Sequence, residues 1–518
     1  MSQESIIANK EVSFKDFLFK NKRNKSILFL AAITIIIQLS IFKYFYPFAS
    51  FIHGDSFNYI DSAYRNLDIN TYLVGYGKFL RFFSVITKSD IILVSFQYLL
   101  LQGSVLFLLF TLFYFYHPSK ATQLAITIFM VFNPLFLHLS NLISSDCLFA
   151  ALSMIWFTLL IWILHSPSPR IILLHAVILL ISFTIRYNAL IYPLISVIAF
   201  YTSPLSIRKK AFGILIGFAL CGLFIINTCV NYKKLTGFWQ YSPFSGWQLA
   251  NNAMYSYRYV KNEDRQPIPK KFEGLHKMIN EYFDTTRDIK KNPIETLQAS
   301  TVYMWSPGLP LFKYRDSLFK NEKTTELKKW ASMGPLYKSY GLHIIKNYPW
   351  HFLRYFIWPN AKKYYAPPVE FLEAYNSGRD DVTLQAQKWF DYKTPKVKTR
   401  LQGNKIWILN FYPILSGIVN VILLCLLCCY FLLNEWQNKQ LVNKGIILAT
   451  TVWLFNAFFT ISASSAALRF QAFPILISTT FTILLTDWLI KLAWNSSAIN
   501  QSQIIEATLK KDTNKILA

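Results

Sequence analysis

Four charged residues attract attention because each lies at or inside a long apolar run: Asp55, Asp146, Arg186 and Arg469. An ionised side chain at the centre of a bilayer costs about 2.5–3.5 kcal/mol on insertion scales, so each of them needs a partner or a function. A carboxylate can accept a proton, and a guanidinium can hold a phosphate. If the four meet, the sequence predicts a site that combines a base with an anion-binding surface.

The apolar runs that surround these residues are long enough to be membrane helices. Hydrophobic residues make up 53% of the 518 positions and aromatic residues 17%, which exceeds the needs of an ordinary soluble fold. About twenty apolar residues span a bilayer. Such runs occupy 26–42, 91–116, 121–143, 147–164, 211–231, 406–433, 445–460 and 470–486, and a broken run covers 171–206. We therefore expect an all-α polytopic membrane protein with about ten or more spans.

The distribution of basic residues predicts the orientation of these spans. A cluster of lysine and arginine between positions 10 and 25 precedes the first span, which places the N-terminus in the cytoplasm by the positive-inside rule. Alternation then puts all four charged residues at the external boundary of a cell membrane, inner or plasma. The predicted units are an N-terminal membrane domain (1–231) whose first external loop is 47–90, an extracytoplasmic domain (232–404), C-terminal membrane helices (405–491) and a cytoplasmic tail (492–518).

The net charge of +26 does not indicate nucleic-acid binding, because much of it belongs to cytoplasmic flanks of the spans. The first external loop mixes aromatic and charged residues, which favours short helices lying in the membrane interface. The extracytoplasmic domain is predicted to be mostly helical or mixed. Trp247 and Asn251 in its opening could stack on and hydrogen-bond a sugar, and core packing is an equally good alternative for the tryptophan.

Each charged residue also has a plainer explanation. Asp146 follows two serines at the start of an apolar run, where a carboxylate suits the positive end of the helix dipole. Either arginine could reach lipid head groups without taking part in chemistry.

The order of these motifs resembles that of the C-fold membrane glycosyltransferases, including the dolichyl-phosphate-mannose protein mannosyltransferases and the bacterial aminoarabinose transferases. The motifs that carry the resemblance are Gly54-Asp55 with Tyr59 one helical turn later, Asn133-Pro134 followed by Ser144-Ser145-Asp146, and Arg469-Phe470 with Pro474. They cover mainly the membrane half of the chain.

The resemblance implies a polyprenyl-phosphate-sugar donor and a lipid, glycan or protein acceptor on the external face. By position, Asp55 would be the general base, and Asp146 would orient the acceptor, the base or a metal. Lipid phosphate would be bound by Arg186 and Arg469, with Lys78 and Arg81 as further candidates from the loop. Tyr59 would join Trp247 and Asn251 in contacting substrate.

The sequence leaves alternatives for the metal content and for the function. Ser145-Asp146 stands where some members have two adjacent acids, so we predict no tightly bound metal. The alternative is a divalent cation that His53 and His138 would bind together with Asp55 and Asp146. A lipid-linked oligosaccharide transporter or flippase would also carry membrane charges, although it would favour paired halves. A surface-polysaccharide ligase or polymerase would use a similar donor.

Overall fold

The computed structural model describes residues 12–286, 290–437 and 441–516, with the backbone alone for 495–516. Residues 1–11, 287–289, 438–440 and 517–518, which include Lys10 of the predicted basic segment and the end of the predicted tail, lie outside the described residues. Within the described residues the chain forms helices and isolated β-bridges, without a β-strand. The prediction of an all-α chain is therefore confirmed.

Eight helices in the described part of the chain are long and apolar enough to cross a membrane. They are Lys22–Phe45, Asp90–Tyr116, Lys120–Asn141, Ser145–His165, Ile207–Thr236, Tyr412–Leu432, Leu441–Ala463 and Ala472–Trp494. The broken run forms two shorter apolar helices, Pro169–Ile185 and Tyr192–Thr202, joined by the 3-10 helix Tyr187–Ile191. The eighth helix continues to Ile516, through most of the predicted tail.

Proline decides two helix boundaries in this set. Lys120–Asn141 consists of two α-helices, Lys120–Val131 and Pro134–Asn141, because a proline has no N–H to continue the first one. The sixth spanning helix begins at Tyr412 with Pro413 in its first turn, so the residues from Ile406 that the sequence assigned to it belong to the preceding loop. Pro is tolerated there because the first-turn N–H groups have no helical partner.

The central helix Ser145–His165 is the most enclosed of the spans and packs against Asp90–Tyr116 and Pro169–Ile185. The first loop, residues 46–89, contributes two helices, Asp55–Tyr64 and Gly75–Ile86. They approach closely because Gly77 has no Cβ, which would lie 2.7 Å from the Ser62 hydroxyl.

The long connection after Ile207–Thr236 contains two parts. Residues 237–365 have a hydrophobic core of their own, built on Pro243–Tyr257 and Gly334–Asn347. The other elements of this part are Asn262–Asp264, Lys270–Phe272, Glu273–Thr285, Pro293–Thr296, Val302–Trp305, Pro310–Leu318, Glu326–Ser332, Pro349–Phe352, Leu353–Ile357 and Trp358–Tyr365.

Residues 366–411 form the second part, which we call the return segment. It contains the 3-10 helix Tyr375–Gly378 and the helix Leu384–Trp389, and its apolar side chains belong to the core of the membrane bundle. Tyr375 donates a hydrogen bond to the carbonyl of Phe48, and Ser377 to that of Phe51. The return segment therefore covers the start of the first loop.

Candidate functional site

The first loop is fixed beside the turn that precedes the central helix. The Ser50 N–H donates to Asn141 O at 2.8 Å, and the Ile143 N–H donates to Ser50 O at 3.0 Å. Gly54 then adopts a φ of +92°, a left-handed conformation that favours glycine, and the helix Asp55–Tyr64 begins at the next residue. These contacts bring the first residue of one helix close to the first turn of the other.

Asp146 is fully enclosed and has three side-chain partners. It is the second residue of Ser145–His165, and its side chain has 0% exposure. The Arg186 Nη1 and the Ser144 hydroxyl donate to separate carboxylate oxygens, and the Arg469 Nη1 lies 3.1 Å from Oδ2. A buried carboxylate held in this way can orient its arginines, but it presents no free surface to a substrate.

Arg469 connects the two acids. Its Nη1 binds Asp146, and its Nη2 lies 2.7 Å from Oδ2 of Asp55. It belongs to the short 3-10 helix Leu468–Phe470, which the return segment anchors through the bond from Leu468 N–H to Pro368 O at 2.8 Å. Burial by itself would lower the pKa of Arg469, but the negative charges of Asp146 and Asp55 raise it above its ordinary value, so the guanidinium stays charged.

Asp55 is the more accessible of the two acids, with 20% of its side chain exposed against 0% for Asp146. Its Oδ2 accepts from Arg469, and its Oδ1 accepts from the Tyr72 hydroxyl at 2.7 Å. A carboxylate oxygen has two lone pairs, so a further donor can still bind each oxygen. Asp55 is consequently the acid that a substrate could reach.

We call Asp55, Asp146, Arg186 and Arg469 the ionic cluster. The structure brings all four sequence-predicted residues, from four separate chain segments, into one set of direct contacts, although they are separated by up to 414 positions in the chain. Two carboxylates and two guanidiniums balance, which offsets part of the cost of removing each charge from water. Arg186 retains 16% exposure, so it is the more accessible of the two cations.

Tyr59 lies behind the ionic cluster. Its hydroxyl is 2.9 Å from the Ser145 hydroxyl, and its ring contacts Tyr72 with centroids 5.4 Å apart. Burial raises the pKa of Tyr59 to about 12, so the phenol remains protonated. This position supports the site from within the fold.

The two cations predicted from the first loop are engaged elsewhere. Lys78 binds Asp68 at 2.8 Å and the Asn66 side chain at 2.9 Å. Arg81 donates to the carbonyl of Ala63 at 3.1 Å, near the end of the helix Asp55–Tyr64. Basic side chains stabilise the negative end of a helix dipole. Both therefore join the two loop helices and lie outside the ionic cluster.

Trp247 and Asn251 are not at the ionic cluster either. Both have 0% exposure inside the core of residues 237–365. The indole N–H of Trp247 donates to Trp330 O at 2.9 Å, and the Asn251 amide donates to Ser300 O at 2.8 Å. Because their polar groups are bonded internally, both side chains belong to this core, as the packing alternative for the tryptophan expects.

Two contacts of the site were absent from the sequence-based prediction. Tyr72 orients Asp55 through the hydrogen bond described above. Phe371, from the return segment, covers Arg469 with its ring centroid 4.4 Å from the guanidinium carbon, and it has a φ of +68°. No sequence signal pairs Phe371 with Arg469, whereas the position of Tyr72 in the same loop as Asp55 made it a reasonable candidate.

The two carboxylates of the ionic cluster are already paired with arginines. Each carboxylate oxygen of the two acids already accepts from an arginine, a serine or a tyrosine. The described residues include no group of three or more His, Cys, Asp or Glu side chains placed to hold a metal. His138 packs its ring against Phe42 at 5.0 Å, and His53 lies 5.8 Å from Phe57.

No protein-family model, no curated protein and no solved structure matches this chain.

Proposed function

We propose that the chain is a membrane glycosyltransferase that moves a sugar from a polyprenyl-phosphate-linked donor to an acceptor on the extracytoplasmic face. The observation that supports this most strongly is the ionic cluster: a partly exposed carboxylate, Asp55, lies 2.7 Å from a buried arginine whose second partner is a fully enclosed acid. Sugar transfer from a lipid phosphate needs a base for the acceptor and positive charge for the leaving group.

In the proposed reaction, the acceptor oxygen or nitrogen attacks the anomeric carbon as the bond from that carbon to the phosphate oxygen breaks. Asp55 takes the acceptor proton, and the lipid phosphate leaves with the electron pair. Arg186 and Arg469 stabilise the negative charge on that phosphate. Asp146 holds both guanidiniums in place. A phosphate is an acidic leaving group, so this electrostatic stabilisation replaces a general acid.

The membrane arrangement that accompanies this proposal has ten crossings, counting the shorter apolar helices Pro169–Ile185 and Tyr187–Thr202 with the eight longer ones. The N-terminus is then cytoplasmic, and the first loop and the long connection are external. Two features favour a transferase over a transporter. The ionic cluster lies at helix ends rather than in helices broken at mid-span, and residues 237–365 form a substantial domain outside the bundle.

The decisive assay incubates the purified full chain in detergent with labelled polyprenyl-phosphate sugars and with lipid, glycan and peptide acceptors. Asp55→Asn keeps the shape of the side chain and removes the base, so we expect at least about a hundredfold loss of turnover. Asp61→Asn is the matched control. Asp61 lies on the same helix as Asp55 but outside the ionic cluster, where it pairs with Arg65 at 2.9 Å. Full turnover by Asp55→Asn, or label that stays on every donor with wild-type protein, would contradict the proposal.

A further inference from the structure

Four aromatic side chains meet beside the ionic cluster, and we call them the aromatic patch: Tyr72, Tyr187, Phe244 and Trp305. Ring centroids are 5.7 Å apart for Tyr72 and Trp305, and 6.1 Å apart for Tyr72 and Phe244. Phe244 is 6.0 Å from Trp305 and 5.8 Å from Tyr187. The rings thus form one continuous surface contributed by three separate parts of the chain.

The position of the aromatic patch distinguishes it from ordinary core packing. All four residues retain part of their surface exposed, whereas Trp247 and Tyr337 nearby are fully buried. Tyr72 packs on the core of the membrane bundle, and Phe244 and Trp305 pack on the separate core of residues 237–365. The patch therefore lies at the junction of two units, where ligand sites occur preferentially.

Polar groups of the ionic cluster border the aromatic patch at Tyr72. The Tyr72 hydroxyl donates to Oδ1 of Asp55 at 2.7 Å. The Arg469 Nη2 lies 2.7 Å from Oδ2 of the same carboxylate, so an acceptor and a cation adjoin the rings. An aromatic surface beside a hydrogen-bond acceptor and a cation matches a pyranose, which has an apolar face of C–H groups and hydroxyls around its edge.

From these contacts we propose that the aromatic patch binds the sugar ring of the donor, with the anomeric carbon and the phosphate bonded to it toward Asp55 and Arg469. This inference rests on the proposed function and adds to it the surface that recognises the sugar. In this pose the bond that breaks, from the anomeric carbon to the phosphate oxygen, lies beside both the base that activates the acceptor and a cation that stabilises the phosphate. Trp305 then contributes to the choice of sugar, and Asp55 to the chemistry.

The test is saturation-transfer difference NMR on the full chain in detergent micelles, with a panel of methyl glycopyranosides of glucose, mannose, galactose and N-acetylglucosamine. We expect at least one glycoside to receive saturation from the wild-type protein. Trp305→Leu should weaken that binding by about tenfold, because a stacked aromatic contact contributes up to about one factor of ten in affinity. Trp305→Phe should retain part of it.

Trp350→Leu is the matched control, because Trp350 is 77% exposed and lies on the separate helix Pro349–Phe352. Phe244→Leu provides a second variant in case Trp305→Leu does not fold. Equal signals from the wild type, Trp305→Leu and Phe244→Leu would overturn the inference, as would the absence of signal from every glycoside with the wild type.

The outcome is separable from that of the transfer assay. If glycoside binding depends on Trp305 and no label moves from any donor, the proposed function is wrong and the sugar site remains. If label moves and Trp305→Leu leaves the KM for the donor unchanged, the sugar site is wrong and the transferase remains.

Discussion

Replacing Arg469 should lower the free energy of unfolding, because this residue joins two acids from distant parts of the chain. Arg469 is 5% exposed and binds Asp55 at 2.7 Å and Asp146 at 3.1 Å. Arg469→Met keeps a long apolar stem and deletes the charge. It leaves Asp146 with Arg186 as its only cationic partner in the cluster, and Asp55 with none.

The expected magnitude follows from the burial of these partners. Breaking a buried ion pair by removing one partner costs about 3–5 kcal/mol, so we expect about 4 kcal/mol for Arg469→Met. Asp146→Asn should cost about 3 kcal/mol, because Asp55 continues to neutralise Arg469 and Arg186 is partly exposed. The two residues share one network, so the double variant should lose about 5 kcal/mol rather than the additive 7, a coupling of about 2 kcal/mol.

These energies can be measured by equilibrium unfolding of the four proteins in mixed micelles as sodium dodecyl sulfate is titrated. The matched control is the cycle of Asp61→Asn with Arg65→Met, a pair with side chains 32% and 66% exposed. Its coupling should be below about 0.5 kcal/mol, since exposed pairs contribute little. A coupling between Asp146 and Arg469 no larger than the control would refute the conclusion that the cluster is one ionic unit.

Three further predictions concern other residues. Tyr72→Phe removes the hydroxyl bonded to the Asp55 carboxylate and should cost about 1.5–3 kcal/mol in the same titration; an unchanged midpoint would show that this bond is not formed. Phe371→Ala should lower the free energy of unfolding by about 0.5–1 kcal/mol, because the cation–π contact with Arg469 is lost. Phe371→Gly should lower it less, because glycine adopts a φ of +68° without strain. Equal losses of stability in the two variants would contradict this. Burial, with the charges of Arg265 and His343, lowers the pKa of His276 to about 4. As the pH falls below about 6.5, this histidine takes up a proton in the unfolded chain but not in the folded one. The free energy of unfolding should therefore drop by about 3 kcal/mol by pH 4. Local hydrogen exchange across Glu273–Thr285 should show this loss in the wild type and much less of it in His276→Gln, and the same loss in both would rule out His276 as its cause.

The residues of the ionic cluster could be predicted from the sequence, because a charged residue at or inside an apolar run carries a high desolvation cost and is easily recognised there. Asp55, Asp146, Arg186 and Arg469 each stood out individually, and the alternation of spans placed them on one side. The structure joins them through contacts that no local pattern contains, such as the bonds of Ser50 with Asn141 and Ile143.

Residues in polar loops were harder to assign, because any nearby acid or carbonyl satisfies a lysine or an arginine there. Lys78 and Arg81 bind groups 10 to 18 positions away in the chain. Trp247 illustrates a different limit, since a sugar-binding tryptophan and a buried one share the same sequence context. Phe371 and Arg469 are almost a hundred positions apart in the sequence, and no motif near either residue predicts their contact.

Direct comparison of two lipids tests the anion-binding claim without knowledge of the sugar. Polyprenyl phosphate and the matching polyprenol differ only in the phosphate, and their binding to the purified chain can be measured by native mass spectrometry in detergent. We predict that the wild type prefers the phosphate by about tenfold or more, that Arg186→Gln abolishes this preference, and that Arg170→Gln, at the start of Pro169–Ile185, preserves it. Equal binding of the two lipids to the wild type, or equal effects of the two variants, would contradict the account.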